Sequence, residues 1–149
     1  MYRRTQVGRW GLVVAGLLAV FAVATAIASQ APWPAAVLVT VLVPVALVFS
    51  LLTVEVTPAE VRFWFGGGFW RTRIALADIE EVEPVVNSWW WGWGIRWTPD
   101  GWLYNVSGLG AVRVKRKNGA VCRIGTDDPE ALARAIRAAM ARAGGGGLR

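Results

Sequence analysis

The residues with the most distinctive chemistry are tryptophans crowded into one stretch of the chain. Residues 88–97 read SWWWGWGIRW and hold five of the ten tryptophans. An indole ring combines a large apolar surface with one N–H donor, which suits the boundary between the acyl chains and the headgroups of a bilayer. We expect part of this stretch to contact a membrane surface or a ligand, with a neighbouring arginine reaching a lipid phosphate. The residues concerned are Trp89, Trp90, Trp91, Trp93 and Arg96.

Packing inside the folded domain is the alternative for the same rings. The alternation of a strand would place Trp91, Trp93 and Trp97 on one face, although two intervening glycines loosen the register. We expect Trp97 and Trp102 to lie in the core. For the three consecutive tryptophans 89–91, contact at an interface and simple packing both stay open.

A second group of candidate residues is basic and lies on a predicted β-hairpin with an Asn-Gly turn. Near an anionic membrane each basic residue contributes about 1 kcal/mol of attraction. Lysine and arginine are also common on exposed edge strands, where they oppose pairing with another chain. The hairpin is therefore either a lipid-binding patch or a solvated face. Its basic residues are Arg113, Lys115, Arg116, Lys117 and Arg123.

The titratable residues exclude the common catalytic and metal-binding arrangements. The chain has no histidine and a single cysteine, Cys122, so it offers neither a histidine-assisted nucleophile nor a cysteine-cluster metal site. Cys122 alternates with apolar neighbours and is expected in the core. Glu80, Glu81 and Glu83 lack a recognisable acid–base partner and are expected at a polar strand edge. We therefore expect no enzymatic activity, no cofactor and no bound metal.

Two apolar segments near the start of the chain approach the length that crosses a membrane. Residues 10–54 contain no charged side chain, whereas all ten acidic residues lie from Glu55 onward. Residues 10–29 reach the roughly 20 residues that a membrane-spanning helix needs, and residues 35–53 are nearly as long. The connecting SQAPWP carries two prolines, which end one helix and begin the next. The sequence predicts a transmembrane helical hairpin over residues 10–53.

The distribution of charge predicts the orientation of this hairpin. Three arginines precede it, its connecting turn has no charge, and basic residues are frequent after it. The positive-inside rule then places both termini in the cytoplasm, with residues 1–9 as a basic tail. A cleaved signal peptide ending at AIAS and buried helices of a soluble protein are the alternatives. Small residues that would let the second helix approach closely recur along the first helix. They are Gly11, Ala15, Ala19, Ala22 and Ala26.

From residue 54 the pattern changes from continuous apolar residues to alternation, which is typical of strands. The turn signals TPAE, GGG, TPDG and KNG separate about seven predicted strands. Asp128 can cap a final amphipathic helix, whose apolar face includes Leu132 and Ile136. The domain is expected over residues 54–142, followed by a flexible glycine-rich tail at 143–149.

Two segments of this domain, GWGIRWTPDGWLYNVSG and RIGTDDPEALARAI, carry a specific resemblance. The chain from about residue 52 to residue 142 resembles the bacterial pleckstrin-homology-like domains of small two-span membrane proteins, and the preceding hairpin fits the same plan. The resemblance implies an α+β fold, in which a C-terminal helix closes an antiparallel β-barrel or sandwich. It implies no particular biochemical activity.

These observations together predict a non-catalytic module that a helical hairpin tethers to the cytoplasmic face of a bacterial inner membrane. We expect the module to bind a protein, a peptide or a lipid, and a second copy of the chain is a further candidate partner. The net charge of +6 is too diffuse for a dedicated nucleic-acid binder. The alternative function is a structural subunit of a larger membrane complex, such as a transporter or a secretion system.

Overall fold

The computed structural model describes residues 1–145 and has an α+β fold, as predicted. It contains a helical part near the N terminus, two β-sheets and a C-terminal helix. The helical part lies between the first two strands of the chain, and these strands pair with each other. The chain therefore leaves one sheet, forms the helices and returns to the same sheet.

The helical part consists of one long helix and a second, interrupted helical stretch. Helix α1 runs over Arg9–Ser29. The second stretch comprises α2 (Pro32–Val37), a π-helical turn (Leu38–Leu42) and α3 (Val43–Val48). The π-helical turn ends two residues before Pro44, whose ring and missing N–H disturb the hydrogen bonding of the turn before it.

The predicted second span is only partly correct. Within residues 1–145, α1 alone is long and apolar enough by length and composition to cross a membrane, while the stretch Pro32–Val48 has 17 residues. The predicted span 35–53 is wrong at its end, because strand β2 occupies Leu51–Val56 and buries Leu52. A short apolar run fits a buried strand as well as a helix, so hydrophobicity alone could not place this boundary.

The predicted basic tail 1–9 is also wrong, because Tyr2–Val7 form strand β1. Strand β1 pairs with β2 in antiparallel register from Tyr2 opposite Val56 to Val7 opposite Leu51. Gln6 is buried and its amide donates a hydrogen bond to the carbonyl of Ser107, 2.8 Å away. The strand was missed because its exposed face carries charged and polar residues, which resemble a solvated tail.

The first sheet has the strand order β1-β2-β3-β4, with β3 at Glu60–Phe65 and β4 at Trp70–Ala75. Its inner face holds Val61, Phe63 and Phe65, each fully buried as the alternation predicted. The β3–β4 turn contains the predicted glycines. Gly66 has a φ of +56° and packs against Val48, so this turn lies beside the end of α3.

The second sheet has the order β5-β8-β9-β7-β6 and packs against the first. Its strands are β5 (Ile79–Val86), β6 (Gly94–Thr98), β7 (Gly101–Asn105), β8 (Gly110–Arg116) and β9 (Val121–Gly125). All neighbours are antiparallel except β7 and β9, which are parallel. The described part of the chain thus has nine strands rather than about seven.

Helix α4 (Pro129–Gly145) closes the core where it contacts β5 and β8. Asp128 caps it as predicted, since its carboxylate accepts a hydrogen bond from the backbone N–H of Ala131 at 3.1 Å. Leu132 and Ile136 are fully buried. The helix passes the expected boundary at residue 142, so residues 143–145 are not a tail; the prediction for 146–149 falls outside the described residues.

Candidate functional site

The candidate site is the end of the β-sandwich from which the helices leave. The backbone N–H of Gly8 bonds to the carbonyl of Ser50, and that of Gly66 bonds to the carbonyl of Leu51 at 2.8 Å. The strand ends, the β3–β4 turn and the first turn of α1 therefore meet at one edge. We call the exposed aromatic residues at this edge the helix-side rim. They are Trp10, Phe69, Trp70, Trp89, Trp90 and Trp93.

The predicted tryptophan block reaches this rim because Trp93 stacks on Trp10. The two ring centroids are 5.7 Å apart and the ring planes are inclined by 24°. Trp10 lies in the first turn of α1, so the stack holds the β5–β6 loop against the base of the long apolar helix. Gly92 and Gly94 have φ angles of +65° and +102°, which allow the chain to reverse on either side of Trp93.

Trp89 and Trp90 point away from the domain. They begin a 3₁₀ turn (Trp89–Trp91), and their rings stack on each other with centroids 3.7 Å apart. The side chains are 65% and 73% exposed. Two adjacent indoles that avoid the core form a large apolar projection, which is costly to hold in water and favourable at a bilayer interface.

Trp91, by contrast, folds back over the outer face of the second sheet and covers Arg123. The Arg123 guanidinium lies 4.8 Å from the Trp91 ring centroid, a cation–π contact. Arg123 also donates to the Asn87 side-chain oxygen at 3.2 Å and forms an ion pair with Asp100. Trp91 thus has a packing role, and the cluster fixes the loop that carries the other tryptophans.

Arg96 lies beside the same loop. It is exposed on the outer face of β6, and a Cβ at Gly92 would lie 3.6 Å from its guanidinium carbon. The structure therefore brings the predicted partners together: Arg96 lies next to the glycine that separates Trp91 from Trp93.

The prediction that Trp97 and Trp102 lie in the core is wrong. They are 70% and 46% exposed and make an edge-to-face contact with centroids 5.4 Å apart. Both share the sheet face of the buried Cys122, as alternation requires. They stay exposed because β6 and β7 lie at the far end of the second sheet, where the core cluster does not include them.

The predicted basic hairpin patch is largely neutralised. Arg113 lies 3.6 Å from Glu83 and Lys115 lies 3.2 Å from Glu80, so the acidic residues of β5 face the basic residues of β8. Arg123 is only 8% exposed and does not share this surface. Of the five predicted cations, Arg116 and Lys117 alone make no ion pair within residues 1–145.

Cys122 is buried, as predicted. Burial raises the pKa of its thiol from 9.0 to about 11, and the nearby Arg116 opposes this shift only in part. The thiol is therefore protonated at neutral pH, which makes it a poor nucleophile.

An apolar cavity of about 250 Å³ lies where the helices meet the sandwich. It extends from the first two turns of α1 to the β5–β6 loop, and Trp10 and Trp93 form one wall. A cavity of this size and polarity suits part of an acyl chain or an apolar side chain.

Comparison with protein-family models, curated proteins and solved structures finds no match to this chain.

Sequence reasoning missed two members of the rim, Phe69 and Trp70. They follow the glycine turn between β3 and β4 and are 80% and 50% exposed. The sequence GGGFW indicates a turn, but nothing in it indicates which end of the domain the turn occupies. That position depends on the pairing of β3 with β2, which directly follows α3.

Proposed function

We propose that this chain is a membrane-anchored, non-catalytic binding module whose helix-side rim lies in the headgroup layer. The observation that carries the proposal is the stack of Trp93 on Trp10. It joins the tryptophan loop to the first turn of the helix that is apolar and long enough to span a bilayer. Aromatic residues prefer this depth, and the exposed indoles are thereby removed from bulk water.

The sheet topology supports an anchor that enters and leaves the membrane on the same side. Strands β1 and β2 are paired neighbours, and the helices lie between them. If α1 crosses the bilayer, the stretch Pro32–Val48 must therefore cross back. Its 17 residues are at the short end of the range for a membrane-spanning helix. A bilayer accommodates a short span by thinning locally.

The same topology argues against a cleaved signal peptide. Cleavage after Ser29 would remove β1 together with its six register pairs to β2. It would also remove the ion pair of 2.8 Å between Arg4 and Asp127, which ties β1 to the start of α4. These contacts favour a mature chain that retains residues 1–29.

The basic residues of β1 and of the sandwich favour a cytoplasmic position for the domain, at the inner membrane of a bacterium. The proposed fold relationship is to the bacterial pleckstrin-homology-like domains, which the segments GWGIRWTPDGWLYNVSG and RIGTDDPEALARAI resemble. In this position the module binds a protein, a peptide or a lipid at the membrane surface.

The test is fluorescence quenching in vesicles whose lipids are brominated near the headgroup end of the acyl chain. We expect Trp89→Ser/Trp90→Ser to lose part of the quenchable emission of the full chain. The matched control, Trp97→Ser/Trp102→Ser, removes two exposed tryptophans outside the rim and should leave that quenchable part unchanged. Equal losses in both variants, or none in the first, would contradict the proposal.

The second candidate function is a structural subunit of a larger membrane complex. An open apolar groove of about 440 Å³ on the lipid-facing side of α1 favours it, because a further helix could pack there. Purification in a mild detergent should then return a stoichiometric membrane partner, and substitution of Val23 in the groove by Trp should release that partner.

A further inference from the structure

The outer face of the first sheet carries a concentration of arginines that lies apart from the predicted basic hairpin. Arg3, Arg62 and Arg73 lie in one row across the sheet, which also includes Glu55. Arg71 lies in the next row, in register with Trp64. All share one face, because residues in register or two positions apart along a strand project to the same side.

Most of these arginines have no ion-pair partner within residues 1–145. Arg62 pairs with Glu60, whereas Arg3, Arg71 and Arg73 form no ion pair there. Arg62 and Arg73 lie directly opposite each other on β3 and β4. Like charges in directly opposed positions destabilise a sheet, and an anion bound between them would remove that repulsion.

The four arginines, together with the single carboxylate Glu55, line a cavity of about 300 Å³. Trp64 lines it, and the Arg3 guanidinium lies 5.6 Å from the Trp64 ring centroid. At the other side the Arg71 side chain donates to the carbonyl of Gly68 at 3.1 Å, which holds it against the β3–β4 turn. The cavity is therefore a shaped basic groove rather than a set of independent surface charges.

The groove begins at the helix-side rim. Gly67 lines it, and the adjacent Gly66 packs against Val48 at the end of α3. Arg71, Trp64 and Thr53 form one row across strands β4, β3 and β2. Thr53 is the fifth residue after Val48, the last residue of α3. At about 3.3 Å per strand residue, this row is only some 7 Å beyond Leu51, within reach of the headgroup layer for a long arginine side chain.

We propose that this groove binds the phosphate group of an anionic membrane lipid, with Arg71 and Arg73 as its main ligands and Arg3 and Arg62 completing the site. Guanidinium groups bind phosphate oxygens through paired N–H donors, for which lysine is a poorer substitute. The inference rests on the proposed function, since the rim must hold the groove beside the headgroups. It assigns to the first sheet the binding of anionic lipid that the sequence suggested for the basic β8–β9 hairpin.

The test is a titration of the full chain in uncharged detergent micelles, so that ligand binding is measured separately from insertion of the rim. Short-chain phosphatidylglycerol, short-chain phosphatidylcholine and inorganic phosphate are the three probes, and the Nε–Hε NMR signals of the arginines report occupancy. We expect saturable shifts at Arg71 and Arg73 with phosphatidylglycerol. Arg71→Gln/Arg73→Gln should weaken its binding at least tenfold.

The matched control is Lys115→Gln/Lys117→Gln, which removes two charges from the predicted hairpin patch and should change the affinity less than twofold. Equal weakening by the two double variants, or no saturable binding, would overturn the inference. Stronger binding of inorganic phosphate than of phosphatidylglycerol would overturn the lipid as the source of the phosphate. If the tryptophan quenching test succeeds while lipid binding is absent, the inference alone fails and the proposed function stands.

Discussion

At the scale of single residues, the environment of each aromatic side chain decides what it does. Trp91 and Trp93 are two positions apart, yet one covers an arginine and the other stacks on a helix. Trp97 points to the core side of its sheet but lies beyond the residues that would cover it. Residue type alone indicates a preference for an apolar or interfacial place, and the neighbours select among such places.

The Arg123 cluster should be the polar interaction on which the tryptophan loop most depends. Arg123→Ala removes charge-assisted hydrogen bonds to Asn87 and Asp100 and the contact with Trp91. We expect the free energy of unfolding to fall by about 2–4 kcal/mol. Thermal unfolding in a mild detergent, followed by near-ultraviolet circular dichroism, measures the effect.

Arg113→Ala is the control for this prediction, because its ion pairs with Glu81 and Glu83 are long, at 3.9 and 3.6 Å, and their carboxylates are 49% and 47% exposed. Exposed pairs contribute at most about 1 kcal/mol. Arg123→Lys should recover only part of the loss, since one ammonium group cannot reproduce the planar guanidinium contacts. A loss for Arg123→Ala no larger than that for Arg113→Ala would show that the cluster does not stabilise the loop.

Cys122 should make stability depend on pH in the alkaline range. Its pKa is about 11 in the folded chain against an ordinary value of 9.0, so the unfolded chain loses this proton first. The stabilisation is complete below pH 9 and is lost as the pH rises from about 9 to about 11. We expect the melting temperature of the wild type, measured relative to that of Cys122→Ala, to fall as the pH rises from 8 to 11. A difference between the two melting temperatures that stays constant over this range would refute this assignment.

At the scale of elements, the small-residue stripe of α1 performs its predicted role. Ala15 and Ala22 are buried, and α1 packs against α2 and α3. Gly11 approaches the turn that follows α3 so closely that a Cβ there would lie within 3.0 Å of the Ser50 side chain. Small side chains permit this close approach, and the van der Waals contact that results stabilises the packing of the helices.

Ala22→Leu should separate the two helical stretches. Ala22 is fully buried, and a larger side chain there forces neighbours to move at a cost of about 1–3 kcal/mol. We expect a lower melting temperature in detergent. Ala24→Leu makes the same substitution at an exposed position of the same helix and should leave the melting temperature nearly unchanged. A similar decrease in both variants would mean that the stripe is not an interface.

Strand β1 is the element that determines how the helices are connected to the sandwich. It converts a presumed tail into a structural strand, with Arg4 contacting Asp127 and Gln6 bonded to Ser107. The helical hairpin is consequently an insertion between two paired strands. An insertion of this kind is more rigidly connected to its domain than a hairpin joined at one end, because both of its ends continue into one sheet.

At the scale of the whole molecule, the sandwich and the tip of the hairpin should lie on opposite sides of the membrane. In a Cys122→Ala background, Ser29→Cys places a thiol at the tip and Lys117→Cys places one on the exposed hairpin of the sandwich. A membrane-impermeant maleimide added to intact cells should label only the first. Labelling of both after permeabilisation is the control, and labelling of Lys117→Cys in intact cells would contradict the proposed topology.

The sequence by itself determined the local elements that depend on short-range patterns. The alternation of Val61, Phe63 and Phe65, the Asn-Gly turn before β9 and the cap at Asp128 are all present as predicted. Each depends on residues within a few positions of one another, where side-chain periodicity, turn chemistry and capping act directly.

Only the tertiary structure decided which residues meet across long separations. Strand β1 pairs with residues about fifty positions later, Trp93 stacks on Trp10, and Arg71 joins Arg3 at one groove. Local periodicity contains no information on strand order or on which face is covered. For that reason the apolar segment 51–53 became a strand, Arg123 became buried and Trp97 became exposed, although each local pattern also fitted the opposite outcome.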